Sequence, residues 1–351
     1  MMYTIPQQKL MIKPWDWLAG FIPQSDSSLR LFIPKSNLYW TSSARNALFL
    51  LLRSLQQKSE NKLTIAIPAF TCQVVKEAAQ NADCKIIYYD SSVTCSKEDI
   101  ESVIIQKPDV LLLCYNFGYL PSNIQQISNL CKQNNITVIE DCAQALGASQ
   151  NNKLAGAIGD YAIYSFGISK NIGFTGGLIA SDNQLKLPSQ KKMPLVNLTK
   201  SIIQSIIGPI IVSNLLFPLT QKLLNKQVSN IKNYPAKQYT LPKFAQNVIN
   251  YKANCYASVI NKRRKNYTVL TGNQSTDACL YLPIIKEKST EIKTKAAKKE
   301  IELDNMKSFK FLAPENQKSK FPKARFAAKN HLAFALLRSK KEIEKIKQVI
   351  Q

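Results

Sequence analysis

Histidine is nearly missing from this sequence of 351 residues, which contains only His331. Metal-binding cysteine patterns are missing as well. None of the eight cysteines forms a Cys-x-x-Cys pair, and several lie inside apolar runs, as Cys114 does in Leu-Leu-Leu-Cys-Tyr. Structural zinc sites use four closely spaced Cys or His ligands. A metal site is therefore not expected, and we interpret the cysteines as reduced interior residues of a cytosolic protein.

A secretory leader is not predicted either, since the first 20 residues show no charged start followed by a clean apolar stretch. The predicted location is therefore cytoplasmic.

Acidic residues are scarce in one part of the chain only. Residues 1–150 carry 13 Lys and Arg against 12 Asp and Glu, whereas residues 151–351 carry 34 against 11.

The basic residues of the second part are nearly all Lys, dispersed, and rarely next to aromatic residues. This pattern argues against a nucleic-acid groove, which interleaves basic and aromatic side chains. Positive charge attracts anionic substrates, and a nucleotide-linked sugar is one. The alternative is that dispersed lysines only solvate the surface.

Glycine is scarce too, with eleven residues, and eight of these fall between positions 118 and 177. Glycine is used where the backbone adopts unusual dihedral angles or approaches a ligand closely. Within this stretch an apolar, β-branched run at 136–139 predicts a buried strand, and a second strand-like run lies at 161–166. The concentration of glycine around two strands indicates a functional site here.

Acidic and basic side chains follow these two strands. Glu140 and Asp141 end the first, and Lys170 lies in the loop after the second, ahead of Gly176 and Gly177. A lysine amine can form a Schiff base with an aldehyde cofactor. In pyridoxal phosphate (PLP) enzymes an acidic residue keeps the pyridine nitrogen protonated. Asp141 and Lys170 fit these two roles, and the alternative from spacing alone is a helix cap and a solvated charge.

Five sequence blocks follow one another in this stretch. They are Glu140-Asp141-Cys142-Ala143-Gln144-Ala145-Leu146-Gly147-Ala148, Gly159-Asp160, Ser165-Phe166, Ser169-Lys170-Asn171 and Gly176-Gly177. In order and spacing these blocks resemble the DegT/DnrJ/StrS family of PLP-dependent sugar aminotransferases, which have the aspartate aminotransferase-like fold type I.

The resemblance implies a role for four residues in these blocks. Lys170 would be the Schiff-base lysine, and Asp141 the partner of the pyridinium nitrogen. Gln144 would contact the ring hydroxyl of the cofactor, and Ser165 its phosphate. Some relatives carry His at the lysine position and act as dehydratases, so Lys170 favours transamination.

A Ser-rich turn precedes an apolar run that predicts a capped helix. Free backbone N–H groups at a helix start bind phosphate readily. The resembled family holds the cofactor phosphate here with a Ser-Gly-Thr-like turn, which this chain replaces by Ser43-Ala44-Arg45. The Ala44 backbone can still donate, and Ser42 or Ser43 can supply a hydroxyl. An ordinary capped helix is the alternative.

The resembled family also places a residue whose side chain packs on the cofactor ring. That position falls on Cys72 in this chain, with Phe70 two residues earlier as a second candidate. Most buried Phe residues belong to a core, so the identity of the ring-stacking group stays open.

Strand candidates alternate with helices along the first part of the chain, at 63–68, 84–90 and 109–115, with a helix at 124–131. This alternation predicts an α/β fold with right-handed crossovers and a mostly parallel sheet. The resemblance implies a PLP-dependent transferase fold type I with a central sheet of the seven-stranded type flanked by helices, and a smaller α+β C-terminal domain. Ligands bind at the carboxyl ends of the strands in such sheets.

The predicted division is a large PLP-binding domain at 1–240 and a small C-terminal domain at 241–351. The large domain is predicted to start with an irregular lead-in at 1–40. One long helix with a basic end is predicted at 244–270. The strand candidates of the small domain are at 281–284 and 309–312.

An apolar helical insertion is predicted near 195–225, and its segment 201–221 contains no charged residue. Its isoleucines recur at helical spacing on one face, whereas Pro209 and Pro218 interrupt a straight span. Apolar helical stripes are usually buried, so packing against the protein or a second subunit is favoured. Contact with the inner face of a membrane through an interfacial helix is the alternative.

These residues and the resemblance together predict a PLP-dependent aminotransferase that moves an amino group to a keto group of a nucleotide-linked sugar. The resemblance implies that glutamate is the amino donor. A homodimer is expected by analogy. One alternative is a PLP-binding relative that is inactive or dehydratase-like. Another is a basic, membrane-associated scaffold without the cofactor.

Overall fold

The computed structural model describes residues 5–6, 12–170, 172, 174–211, 213, 216–217, 219, 238–287, 289–303 and 308–351. Some predictions fall outside these residues. They concern Asn171, Pro218, part of the lead-in and the end of the apolar segment.

The strands and helices follow one another as the sequence pattern predicts for an α/β protein. The strands are β1 (Asn37–Thr41), β2 (Thr64–Pro68), β3 (Phe70–Cys72), β4 (Lys85–Tyr89), β5 (Val110–Cys114), β6 (Thr137–Asp141), β7 (Ser149–Gln150), β8 (Lys153–Leu154), β9 (Tyr161–Ser165), β10 (Gly177–Ser181), β11 (Lys191–Lys192), β12 (Tyr239–Thr240), β13 (Tyr281–Ile285), β14 (Phe309–Phe311) and β15 (His331–Ala335). The helices are α1 (Ser27–Arg30), α2 (Ala44–Gln56), α3 (Gln73–Asn81), α4 (Lys97–Ile104), α5 (Ile124–Gln133), α6 (Leu195–Ile211), α7 (Lys243–Ala253), α8 (Tyr256–Thr271), α9 (Ser289–Lys298), α10 (Pro322–Asn330) and α11 (Lys340–Ile350). Short 3₁₀ helices span Pro14–Phe21, Asn116–Gly118 and Glu315–Lys320.

Seven strands form the central sheet in the order β1-β10-β9-β6-β5-β2-β4. The five strands from β9 to β4 are parallel, whereas β10 runs antiparallel to both β9 and β1. Helices α3, α4 and α5 connect β2, β4, β5 and β6. The predicted mostly parallel seven-stranded sheet is therefore confirmed.

Apolar side chains cover both faces of this sheet, because successive residues of a strand point to opposite sides. In β5, Leu111 and Leu113 pack into one cluster together with α5, α7 and α8. Val110 and Leu112 pack into a second cluster, which contains the apolar residues of α2 and α3. This two-sided burial explains why 109–115 reads as one continuous apolar run.

The C-terminal part builds a smaller layer. Strands β13 and β15 pair antiparallel, and α9 and α11 pack on them through a third apolar cluster. The N-terminal Ile5 joins this layer through a parallel bridge to Ile301. Strand β14 instead pairs with β3 beside the central sheet, with Phe309 opposite Cys72. The proposed division of the chain at residue 240 stays a prediction.

Three predicted elements differ from the structure. The lead-in 1–40 is not wholly irregular, since β1 pairs with β10 as an edge strand of the sheet. The single helix at 244–270 is two helices, α7 and α8, separated at Asn254 and Cys255. The strand predicted at 309–312 lies beside β3 and not in the C-terminal sheet.

Helix α6 carries residues 195–211 of the predicted apolar segment. Ile202 and Ile206 pack on the main core, whereas Ile203, Ile207 and Ile210 stay 45–49% exposed. The helix therefore buries only part of its apolar face within one chain. Among the described residues, no helix combines the length and apolar character that crossing a bilayer requires.

Candidate active site

A cavity of about 460 Å³ opens at the carboxyl ends of β5, β6 and β9. Such strand ends are where parallel sheets bind ligands. All seven residues predicted to hold the cofactor or react with it line this one cavity: Ser43, Ala44, Cys72, Asp141, Gln144, Ser165 and Lys170. The other lining residues are Arg45, Leu48, Thr71, Val74, Val75, Cys114, Tyr115, Asn116, Ala143, Ile163, Ser169, Ser308 and Phe309.

Asp141 is the last residue of β6. Its Oδ1 accepts a hydrogen bond from the backbone N–H of Ala143 at 3.0 Å, and its Oδ2 accepts one from the Cys114 thiol at 3.9 Å. Burial raises the pKa of the Asp141 carboxyl above its usual range, although the Ala143 N–H and the Lys170 charge oppose this rise. A carboxylate in this position is stabilised by any further positive charge that the cavity receives.

Lys170 lies in the loop after β9. Its backbone N–H donates to the carbonyl of Gly167 at 2.9 Å, which forms a turn. Its positive charge acts on the Asp141 carboxyl, and both side chains line the same cavity. An amine and a carboxylate thus face one space, as the predicted chemistry requires.

The turn before α2 forms another part of the wall. Ser43 is the N-cap of α2, and its hydroxyl accepts a hydrogen bond from the backbone N–H of Asn46. The helix begins at Ala44, and the first N–H groups of a helix have no acceptor within the helix itself. Helix starts of this kind bind anions readily.

Gly177 allows β10 to approach this turn closely. A Cβ atom at Gly177 would lie 2.2 Å from the carbonyl carbon of Ser43 and 2.3 Å from the nitrogen of Ala44. Gly176, the residue before Gly177, has a φ of +112° and forms a parallel β-bridge with Ser43. The Gly176-Gly177 block therefore fixes the position of the turn against the sheet.

Gln144 and Ser165 occupy the same wall as Asp141. The Gln144 Oε1 accepts a hydrogen bond from the backbone N–H of Phe117 at 2.7 Å, so its amide nitrogen remains to donate. Ser165 ends β9, and its hydroxyl lies 3.5 Å from the backbone nitrogen of Gly167, which donates to it.

Only one of the two candidates for packing on the cofactor ring lines the cavity. Cys72 lines the cavity. Phe70 does not: it is fully buried, and its ring packs against those of Phe309 and His331. The second candidate is therefore wrong. Phe309, which sequence reasoning missed, lines the cavity instead and stacks on Phe117 with ring centroids 5.0 Å apart.

The neighbouring carboxylate, Glu140, points to the other face of the sheet. Its side chain is fully buried and accepts hydrogen bonds from the backbone N–H groups of Gly156, Ile158 and Gly159 at 2.5–2.8 Å. The Tyr115 hydroxyl donates to it at 2.6 Å. Glu140 therefore holds the glycine-rich loop 155–159, which accounts for two of the clustered glycines.

His331 lies in β15, where its Nδ1 is 3.0 Å from the carbonyl oxygen of Ala327. It does not line the cavity. Within the described ranges, no three His, Cys, Asp or Glu side chains come together in a way that could hold a metal ion.

The sheet and its cavity define a class of protein. Residues 26–194 match the model of the DegT/DnrJ/EryC1/StrS aminotransferase family, and the resemblance stated from the sequence blocks is thereby confirmed. This matched stretch contains nearly the whole described wall of the cavity.

Particular relatives act on nucleotide sugars. The UDP-N-acetyl-3-dehydro-alpha-D-glucosamine 3-aminotransferase of Acidithiobacillus ferrooxidans is 29% identical over 151 residues, which is 41% of this chain and 40% of that protein. The GDP-perosamine synthase of Escherichia coli O157:H7 is 31% identical over 126 residues, 34% of each chain. The matched stretches thus span less than half of these relatives.

Solved structures are similar over the whole chain. The E. coli GDP-4-keto-6-deoxy-D-mannose-3-dehydratase with bound hydrated PLP has a TM-score of 0.74 at 14% identity and covers all of both chains. Helicobacter pylori PseC, an aminotransferase involved in the biosynthesis of pseudoaminic acid, has a TM-score of 0.73 at 12% identity, with 100% of this chain and 98% of that chain covered. At these identities the likeness establishes the fold, and the predicted fold type I is confirmed.

Proposed function

We propose that this chain is a PLP-dependent aminotransferase that transfers an amino group, with glutamate as donor, to a keto group of a nucleotide-linked sugar. One observation carries the proposal. The Lys170 amine and the Asp141 carboxylate line a single cavity at the strand ends, close enough for the lysine charge to act on the carboxylate.

The residues of the cavity fit PLP, a flat aromatic aldehyde with one phosphate. The carboxyl of Asp141 has a raised pKa because it is buried, and a protonated pyridine nitrogen beside it would stabilise its ionised form. The start of α2 offers backbone N–H groups to the phosphate, and Ser165 adds a hydroxyl. Lys170 supplies the amine that bonds to the aldehyde.

Each residue then has a defined task. PLP, when bound, supplies an electron-poor ring that withdraws electrons from the substrate carbon. The negative charge of Asp141 would favour the protonated form of the ring nitrogen. The Nζ of Lys170 would act as the base that moves a proton at the substrate carbon. Gln144 would orient the ring through its amide nitrogen.

The substrate class rests on the relatives, whose names specify UDP-linked and GDP-linked sugars. The chain itself contributes its charge: residues 151–351 have an excess of 23 basic over acidic residues. Such a field attracts a diphosphate-linked sugar from solution.

A spectroscopic half-reaction tests the proposal. The purified protein, reconstituted with PLP, is expected to show a visible absorption band that glutamate converts to that of the aminated cofactor. A band that persists with excess glutamate would favour a dehydratase-like or inactive relative. Absence of any band would remove the cofactor assignment altogether.

We also propose that the protein is a homodimer. Helix α6 exposes Ile203, Ile207 and Ile210, while the 3₁₀ helix at Pro14–Phe21 exposes Leu18 and Phe21 at 68% and 78%. Exposed apolar side chains in this number mark an interaction surface, and a second copy is the expected occupant. Light scattering should give twice the chain mass. A monomer that co-sediments with anionic vesicles in high salt would instead support membrane contact.

A further inference from the structure

Arg45 stands at the phosphate-binding turn where the resembled family has a hydroxyl. It is the second residue of α2, directly after Ala44, and its side chain lines the cavity. Its Nη2 lies 3.5 Å from the Oε2 of Glu77 on α3, and the Arg45 side chain is 20% exposed. The guanidinium therefore lies at the cavity wall and not in bulk solvent.

A cation in the first turn of a helix is electrostatically unfavourable, because the helix dipole places partial positive charge there. At this turn the charge of Arg45 adds to the backbone N–H groups of α2. Glu77 offsets part of it from the side of α3. Because Arg45 lines the cavity, an anionic group bound there would offset the remaining positive charge.

The Ser43 hydroxyl of the turn has a single proton to donate to such a group. The Ser43 hydroxyl is engaged as the helix cap, accepting from the Asn46 backbone N–H at 3.2 Å. The position after Ala44, which carries a hydroxyl in the resembled family, carries the guanidinium here. A guanidinium presents five N–H donors in a planar fork that matches phosphate oxygens.

We propose that Arg45 binds the phosphate group of PLP and so replaces the missing hydroxyl of the turn. This inference rests on the proposed function. Glu77 is the positioning residue: its Oε1 accepts from the Gln73 side-chain amide at 2.9 Å, which leaves Oε2 directed at the guanidinium. The Arg45 fork is thereby held at the cavity wall before the ligand arrives.

The test compares PLP with pyridoxal, which lacks the phosphate but has the same ring and aldehyde. Dissociation constants of both are measured by absorbance for the parent, Arg45→Met and Arg45→Gln. Arg45→Gln keeps a hydrogen-bonding side chain next to Glu77, so one variant remains if the other fails to fold. The control is Arg53→Met in the last turn of α2, outside the cavity lining.

Loss of the charge at Arg45 is expected to weaken PLP binding about 10- to 100-fold, as for a charge-assisted hydrogen bond. Pyridoxal binding should change less than about twofold, and Arg53→Met should change neither. Unchanged PLP binding, or an equal loss for both ligands, would overturn the role of Arg45 while leaving the aminotransferase proposal intact. A parent protein that binds neither ligand would overturn both proposals.

Discussion

The part of the chain before residue 171 and the part after residue 238 contribute very unequally to the cavity. Among the residues that the structure describes, all that line it precede residue 171 except Ser308 and Phe309. The first part carries the parallel strands whose carboxyl ends position Asp141 and Ser165. The second part adds one wall through β14, which pairs with β3.

This difference separates two kinds of task. The first part holds every group assigned to the cofactor, and it is almost neutral over residues 1–150. The second part closes the cavity and lies in the basic portion of the chain. Substitutions in the first part should therefore abolish chemistry, whereas substitutions in the second should change stability or substrate binding.

The largest effect is expected for Lys170→Ala in the first part. Loss of the amine removes both the bond to the aldehyde and the base, so transamination should fall by about 10⁴-fold or more. The visible band should shift to that of free PLP. Lys153→Ala, an exposed lysine of β8, is the matched control. Near-parental activity without Lys170 would contradict the conclusion that the first part of the chain carries the chemistry.

Asp141→Asn is expected to reduce activity by about 10²- to 10³-fold, the range for removing one preorganised charged group from a buried site. Asparagine has almost the same shape and can still accept from Ala143, so PLP should remain bound. The measurement is the rate of the glutamate half-reaction. An unchanged rate would show that the carboxylate does not support the ring nitrogen.

The same substitution predicts a pH dependence of stability without PLP. Burial raises the pKa of Asp141, so the residue stabilises the fold only while protonated. That stability is present below its ordinary value of 3.8 and is lost as pH rises through the raised pKa. The parent should therefore gain stability relative to Asp141→Asn as pH falls. Urea unfolding at several pH values measures this, and a constant difference would contradict it.

Gly177→Ala is expected to weaken PLP binding about tenfold or more, because the new Cβ forces the Ser43-Ala44 turn away from β10. Gly208→Ala in α6 serves as the control, since alanine is favoured inside a helix. PLP titration followed by absorbance gives the affinities. Parental affinity for Gly177→Ala would mean that the turn does not hold the phosphate.

The smallest effect is expected in the second part, for Phe309→Leu. The shorter side chain loses the stacking contact with Phe117 and should cost about 1 kcal/mol of unfolding free energy. The PLP absorption band should be kept. If the band were lost, β14 would contribute to cofactor binding as much as the central sheet, and the contrast between the two parts would fail.

The sequence predicted best where burial is continuous. The runs at 109–115 and 136–139 fall within two residues of β5 and β6, because strands buried on both faces are apolar throughout. The edge strand β1 was not predicted, since only Thr41 in it is buried. The break between α7 and α8 was not predicted either, because Asn254 and Cys255 interrupt no local helical pattern.

The part of the cavity lining that lies close together in the chain was also predictable. Asp141, Gln144, Ser165 and Lys170 come from one glycine-rich stretch with a recognisable order of blocks. Phe309 was not, because it reaches the cavity only through pairing of β14 with β3, across more than two hundred residues. No local pattern encodes such a contact, and the same holds for the ion pair between Arg45 and Glu77.

The adjacent acids Glu140 and Asp141 show how narrowly this site depends on the pairing of β6. Alternation along the strand sends Glu140 to the loop that it anchors and Asp141 to the cavity. A slip of one residue in one direction would bring Glu140 to the ligand and Ile139 to the three amides, and a slip in the other would bring Cys142 to the ligand. Insertions or deletions of a single residue in β6 should thus inactivate the protein even where the hydrophobic content is preserved.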